Sequence, residues 1–463
     1  MKKKLNFCAA IASLVLSVNS HALTLYGDPE TGQIYYQPGE GRTKIEVVDD
    51  GSAAKASSTK QSITIIDEKS PEFMMGKQTH INMKFQADDT SDMWFKAGVR
   101  VQGTFETQET DKYNTGGSLA SSESISDVYL RRARLEIAAG FGEHTSFTMD
   151  IRNDKSNFGI ENNEGNFKLG DAYIKIKNPF DTSLVNFKLL RAKIDVSRTE
   201  TVKSARLITY DRPFIADAAA QYISLNRRGA NAQMYGDWKK KIHYQIAAGS
   251  ASSPDKTLDA LGVKGSSVDI DTSDQSLFYG GKVIFSPFDG WEETQRTETY
   301  FGEGKHFSVG VAYWDVPTLK GDVDFGTYTS TFDLNRKLIN YEVSAHYNGF
   351  FVQGEYFEFK DAVKQWDTGV SGTVDTGSSS GWYVTSEYVF KDFYYLAPFV
   401  RYEKWDRFDD ESGYDVESSL VGVNWYLRGN TTKVGLVYQQ DEFGVNTGNR
   451  DVDTLRVTTQ WFF

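Results

Sequence analysis

The sequence has almost no cysteine. Its one thiol, Cys8, lies in the first stretch of the chain, so nothing downstream can form a disulfide, a cysteine metal site or a thiol nucleophile. Proline is scarce, with 9 in 463 residues, and after residue 22 no apolar run approaches the roughly 20 residues that a membrane-spanning helix needs. Basic charge is also in deficit. Once Lys2, Lys3 and Lys4 are set aside, 48 basic face 63 acidic residues, a net of −15, which argues against general nucleic-acid binding. The six histidines, His21 among them, show no metal-ligand spacing, and neither a G-x-S-x-G nor a P-loop occurs. No cofactor, metal or catalytic residue is therefore expected, and no enzyme.

What is present begins with a three-part leader. Lys2–Lys4 are followed by the apolar run Leu5–Val18, too short to span a bilayer, and then by small residues at Ser20 and Ala22. Residues 1–22 thus read as a cleaved signal peptide, not an anchor, and imply export. Cys8 lies too early in that run for a lipoprotein. The chain is polar overall yet rich in aromatics and glycine (30 Phe, 25 Tyr, 9 Trp, 40 Gly), almost all beyond the leader, as a barrel with two unlike faces would be.

Period-2 alternation starts at Asp92 and marks about sixteen strands between 92–108 and 452–463, an even number as bacterial outer-membrane barrels require. The connections alternate between short and long. Ala139–His144, Asn178–Ser183, Lys239–Lys241, Tyr347–Phe350, Lys391–Phe393 and Gly429–Asn430 are short. The stretches 109–124, 155–166, 195–228, 250–275, 316–336, 361–379, 407–413 and 443–451 are long. Only 287–304 breaks the rule, being long where a short turn is due. Along the strands, apolar sets such as Phe307, Val309, Val311 and Tyr313 oppose polar ones such as His306, Ser308 and Gly310. So many charges per strand could not be buried in a dry core, so the polar face lines a wet lumen and the apolar face meets lipid. In the last strand Leu455, Val457, Thr459, Trp461 and the terminal Phe463 share the apolar side, resembling the signal read by the outer-membrane assembly machinery. The expected fold is all-β: a transmembrane antiparallel up-and-down barrel of about sixteen strands over 92–463, in the outer membrane of a Gram-negative cell. A small periplasmic extension of one or two hairpins is expected over 23–91, with β-prone pieces at Thr43–Val48 and Ser62–Ile66.

Some segments carry a family resemblance. Met93–Gln102, Tyr129–Glu136 with its paired arginines, Leu169–Ile174, Asn186–Leu189 and Asp211–Asp217 resemble strands and a loop of the phosphate-selective porin O and P family, clearly over 92–250 and weakly beyond. The resemblance implies a sixteen-stranded porin, commonly a homotrimer, with the loop after the fifth strand (195–228) folded into the pore as a constriction. Strand parity points Lys96, Arg100, Arg132, Arg134, Arg152, Lys175 and Lys188 inward as candidate anion contacts, and gives Arg131 an outward position at the rim or a subunit contact. Glu106, Glu136, Asp150 and Asp171, and later Glu342, Glu355, Glu387 and Glu403, share that lumen, predicting a mixed field and a weak anion filter. In the loop, Arg198, Lys203, Arg206, Arg212 and Arg227–Arg228 face Asp195, Glu200, Asp211 and Asp217. Such a set serves either as a charged constriction replacing an anion's hydration or as ion pairs that hold the loop to the wall. Asp269–Asp274 lacks the glycine and glutamate of a calcium loop, and Asp409–Glu411 suits a solvated loop bridged by divalent cations to lipopolysaccharide.

The leading reading is passive diffusion of small hydrophilic solutes, with a leaning toward phosphate or other oxyanions, in a protein surrounded by lipid and lipopolysaccharide. The second makes the barrel a sheath around a periplasmic multihaem cytochrome. The third is a lipid-hydrolysing barrel.

Overall fold

The computed structural model describes residues 92–462 except 157–166, 225–226, 252–269, 272–276, 289–296, 325–328, 367–377, 408, 410–411 and 446–447; before them it describes only short backbone strands. Those are Tyr26–Gly27, Ile34–Tyr35 and Thr43–Lys44, which form a small three-stranded sheet, and Ser62–Thr64 and Ile81–Gln86. The leader, the Asp49–Ala54 stretch, Phe463 and most of Asp269–Asp274 and Asp409–Glu411 lie outside the described residues.

Sixteen antiparallel strands close into a barrel. They are β1 (Asp92–Tyr113), β2 (Leu119–Phe141), β3 (Thr145–Ser156), β4 (Lys168–Ile176), β5 (Asn186–Arg191), β6 (Ala230–Trp238), β7 (Ile242–Ser250) and β8 (Leu277–Phe285). The second half comprises β9 (Lys305–Asp324), β10 (Thr329–Tyr347), β11 (Phe350–Trp366), β12 (Ser378–Tyr388), β13 (Leu396–Asp406), β14 (Asp415–Asn430), β15 (Thr432–Phe443) and β16 (Arg450–Phe462). Each pairs with its sequence neighbour, and β16 returns to β1, from Arg450 opposite Lys112 to Phe462 opposite Arg100. Where β16 ends, Ile81–Gln86 continues along β1, with Ile81 opposite Ala97. Between them these two partners cover most of this side of β1.

The two faces separate as the alternation predicts. Outward Val311, Val343, Val400 and Leu436 are exposed, as a lipid-facing band requires. Aromatics bracket this band: Tyr341 and Tyr347 on β10, and Trp382 and Tyr388 on β12, are six residues apart, roughly 20 Å of strand. Those positions suit the two girdles at the membrane interfaces. The hairpins β1–β2, β9–β10 and β10–β11 run on beyond this band. Much of 316–336, expected as loop, is strand, because a ladder in water needs backbone partners but no apolar face. An apolar-periodicity reading is blind to such hairpins.

Candidate functional site

The long connection after β5 turns into the barrel. Its order is α1 (Arg198–Thr201), a 3-10 turn (Ser204–Arg206) and α2 (Phe214–Ile223), returning to β6 at Ala230. Ser197 caps α1 by accepting the N–H of Glu200, and Pro213 starts α2 at a position that needs no donor. The buried face of α2, with Ile215, Ala219, Tyr222 and Ile223, packs on Phe278, Trp314, Phe357, Phe359 and Trp405 of the inner wall. Wall side chains then take the loop's backbone groups one by one. Glu355 accepts the N–H of Arg198 at 3.0 Å and of Thr199 at 2.9 Å, and Glu403 accepts that of Ile215 at 2.7 Å. Lys433 donates to the Leu207 carbonyl at 2.5 Å, Asn424 to Ile208 at 3.0 Å, and Gln460 to Ala205 at 2.9 Å. Arg132 donates to the Tyr210 carbonyl at 3.0 Å. Gly435 makes room for this contact, since a Cβ there would stand 2.4 Å from the Tyr210 ring.

This packing sorts the lumen by access to water. Nearly all described inward side chains on β7 to β16 are buried, including Glu342, Glu355, Glu387 and Glu403 at 0–5% exposure. Parity has those four carboxylates lining the bore, and the structure corrects this by burying them: Glu355 and Glu403 serve as backbone acceptors of the loop, Glu342 pairs with Lys282 at 2.7 Å, and Glu387 takes the Tyr426 hydroxyl at 2.6 Å. Water-accessible polar groups gather instead beside β2–β5, among them Glu136, Arg152, Asp154, Asp171 and Lys188, facing Lys193, Lys203 and Arg228 of the loop.

The residues singled out by parity fall as follows. Lys96 is exposed, 5.2 Å over the Trp94 ring. Arg100 pairs with Glu136 at 2.8 Å and is itself buried. Arg134 makes two bonds to Asp154, at 3.0 and 2.5 Å, and one to Ser204 of the loop at 3.1 Å. Arg152 pairs with Asp150. Lys188 lies 3.4 Å from Asp195, and both it and Lys175 stand over the Tyr235 ring. Arg131 corrects the parity reading. The register slips between Gln102 and Gly103 so that Arg131 is the extra residue of a β-bulge, turning inward beside Arg132. It is buried and pairs with Asp211 of the loop, which Arg456 also holds at 2.9 Å.

The loop cations divide. Arg198 has no exposed surface, bonds Gln353 at 3.0 Å and cannot meet a passing ion. Arg212 is bound to Glu200 at 2.8 Å and to the carbonyls of Thr199 and Val202. Glu200 also takes Lys193 at 2.8 Å and has Arg227 at 3.9 Å. Burial alone would raise its carboxyl, but Arg212, Lys193 and Arg227 together hold it well below the usual carboxylate range. Burial, helped by Arg212 and Arg228, outweighs Glu200 at Lys193 and brings its amine down to about 7. Holding the loop in place is thus the role of Arg198 and Arg212, Arg206 sits half-buried on the 3-10 turn, and Lys203 is the loop cation most open to water, 55% exposed and 3.2 Å from Glu136.

The described end of the anomalous 287–304 connection, residues 297–304, is a second inward segment. It comes from the end that carries the short turns, which in outer-membrane barrels is the periplasmic one. Glu298, Thr299, Tyr300 and Phe301 are buried; Tyr300 stacks on His306 and His346, and Phe301 packs edge-on to Tyr426. Its length was the one sequence signal for this segment, and Glu298 and Lys193 were not legible as functional residues at all.

A barrel of sixteen strands, polar within and apolar without, its bore narrowed by the loop after β5, is the architecture of a diffusion channel. The family model for phosphate-selective porin O and P matches residues 95–463. The chain belongs to that family. It is an outer-membrane porin. Among solved structures, this porin is similar to the anion-selective porin from Comamonas acidovorans, at 11% identity and a TM-score of 0.52, over 80% of this chain and 100% of that one. It is also similar to OmpF of Salmonella typhi in complex with daunomycin (11% identity, TM-score 0.47, 81% and 98%) and to the outer membrane channel DcaP of Acinetobacter baumannii (9%, 0.47, 82% and 99%). No curated protein sequence matches it. The lumen that a cytochrome sheath would offer is occupied by the porin's own two inward segments, and nothing favours that reading.

Proposed function

We propose that this porin passes small anions, phosphate and other oxyanions among them, down their gradients along the β2–β5 side of the lumen. The observation that carries the reading is that Lys203, 55% exposed, is the loop cation most open to water, with Lys188, Lys193 and Arg228 also keeping water access. Glu342, Glu355, Glu387 and Glu403 are buried, and so are Lys282, Arg336, Arg401 and Lys433, so the solute meets mainly the groups beside β2–β5. The guanidinium and ammonium groups there can replace part of an anion's hydration. The basic groups are tethered to Glu136, Asp171 and Asp195, which weakens their hold and lets the ion leave, as conduction requires. The anion-selective porin and the family description support this leaning without assigning a solute. Reversal potentials across planar bilayers in a potassium chloride gradient test it: anion preference is expected, and cation preference would sink it.

We also propose a homotrimer seated in lipid and lipopolysaccharide, in line with a porin from Vibrio cholerae solved in a trimer form. Unheated gel migration and light scattering of the detergent-solubilised protein read the assembly state directly; a monomer by both measures would overturn it.

A further inference from the structure

The periplasmic segment meets the extracellular loop chiefly through the side chain of Glu298. Its carboxylate accepts the Ile208 N–H at 2.7 Å, the Thr199 hydroxyl at 3.3 Å and the Gln353 side-chain amide at 2.8 Å. Its own N–H donates to the Arg206 carbonyl at 3.3 Å, and Arg198 reaches the neighbouring Thr297 carbonyl at 3.5 Å. Thr199 and Ile208 flank the stretch 202–206, which presents Lys203 to the water-filled side and rests Ser204 on Arg134. Two feet of that stretch are thus pinned by one side chain entering from the opposite mouth. The pin is anchored in turn, because Tyr300 is stacked on two histidines of β9 and β10 and Phe301 is wedged against Tyr426 of β14.

We propose that Glu298 is a positioning residue for the pore: from the periplasmic end it fixes where the 202–206 stretch, and so Lys203, stands in the bore. A carboxylate suits the task because its two oxygens offer lone pairs to three converging donors, which a glutamine's single oxygen cannot match. The loop's place in the conduction path rests on the proposed function; its pinning does not.

Two readouts separate the ideas. In a Cys8→Ser background, Ala205→Cys places a thiol at a position 2% exposed, so a small charged thiol reagent labels the folded barrel slowly. Adding Glu298→Ala removes charge-assisted bonds and is expected to speed labelling by about tenfold to a hundredfold, with Glu298→Gln between. In bilayers the same variants should show larger, noisier single-channel currents and a smaller anion preference. Unchanged labelling and unchanged currents in Glu298→Ala would overturn the proposal. If that variant fails to fold, Glu298→Gln carries the same test. A parent channel with no anion preference counts against the proposed function alone, because the labelling still reports the pin.

Discussion

Glu403 accepts the backbone N–H of Ile215 at 2.7 Å, so a carboxylate of the barrel wall caps a helix that belongs to a loop 188 residues earlier in the chain. Pro213 supplies α2 with no side-chain cap, which leaves that task to the wall. A negative group at a helix N-terminus also interacts favourably with the helix dipole. We expect Glu403→Ala to weaken α2 docking by about 0.5–2 kcal/mol, as loss of a helix cap does. Open-channel noise in single-channel records should rise while the folded barrel still migrates as the parent does on unheated gels. Noise equal to the parent's would mean that α2 is held by its apolar face alone.

Lys203 and Arg198 lie five residues apart and should behave oppositely. Lys203→Glu puts a second carboxylate beside Glu136 at the open side, and the anion-to-cation permeability ratio should fall several-fold. Arg198→Gln alters a side chain with no exposed surface, so it should change loop stability and leave that ratio nearly constant. Reversal potentials of the two variants measured side by side decide this. Equal shifts would show that field, not contact, sets selectivity.

How far the sequence carried the fold is visible in the strands. All sixteen lie within a few residues of where alternation put them, except that hairpins beyond the membrane continue as strand without an apolar face to betray them. Parity gives Arg132 and Arg134 an inward face and Arg131 an outward one, and Arg131 departs from it because a bulge adds a residue without altering the local composition. Which lumen residues see water was not legible. Glu355 and Glu403 read as pore-lining carboxylates, and they do face inward, but only the path of the loop shows that they are covered. Position along a strand gives a face; it does not say what lies against that face.

The bulge itself can be tested by sign. If Arg131 faced lipid, replacing it with alanine would stabilise the barrel by about 2–4 kcal/mol near the membrane centre. Facing inward and paired with Asp211, it should cost about 2 kcal/mol when removed, tempered because Arg456 still holds Asp211. The temperature at which the barrel loses its compact migration on gels should therefore fall in Arg131→Ala. A rise would restore the outward reading.

Lys193 gives the channel a pH dependence near neutrality. Burial, with Arg212 and Arg228 nearby, brings its amine down to about 7, whereas an unfolded lysine titrates near 10.4. A base whose folded value is lowered makes the folded state disfavour its charge. This cost to the docked loop is fully present below about 7 and is relieved as pH rises toward the unfolded value, so loop docking strengthens over that range. The electrical effect runs the other way. Above about 7 the ammonium is lost from the water-facing side, so anion preference should decline between about pH 6 and pH 8. Glu200 contributes no step there, since its carboxyl stays ionised throughout. Reversal potentials across that range should change more steeply in the parent than in Lys193→Gln. A parent profile as flat as the variant's would remove Lys193 from the conduction path.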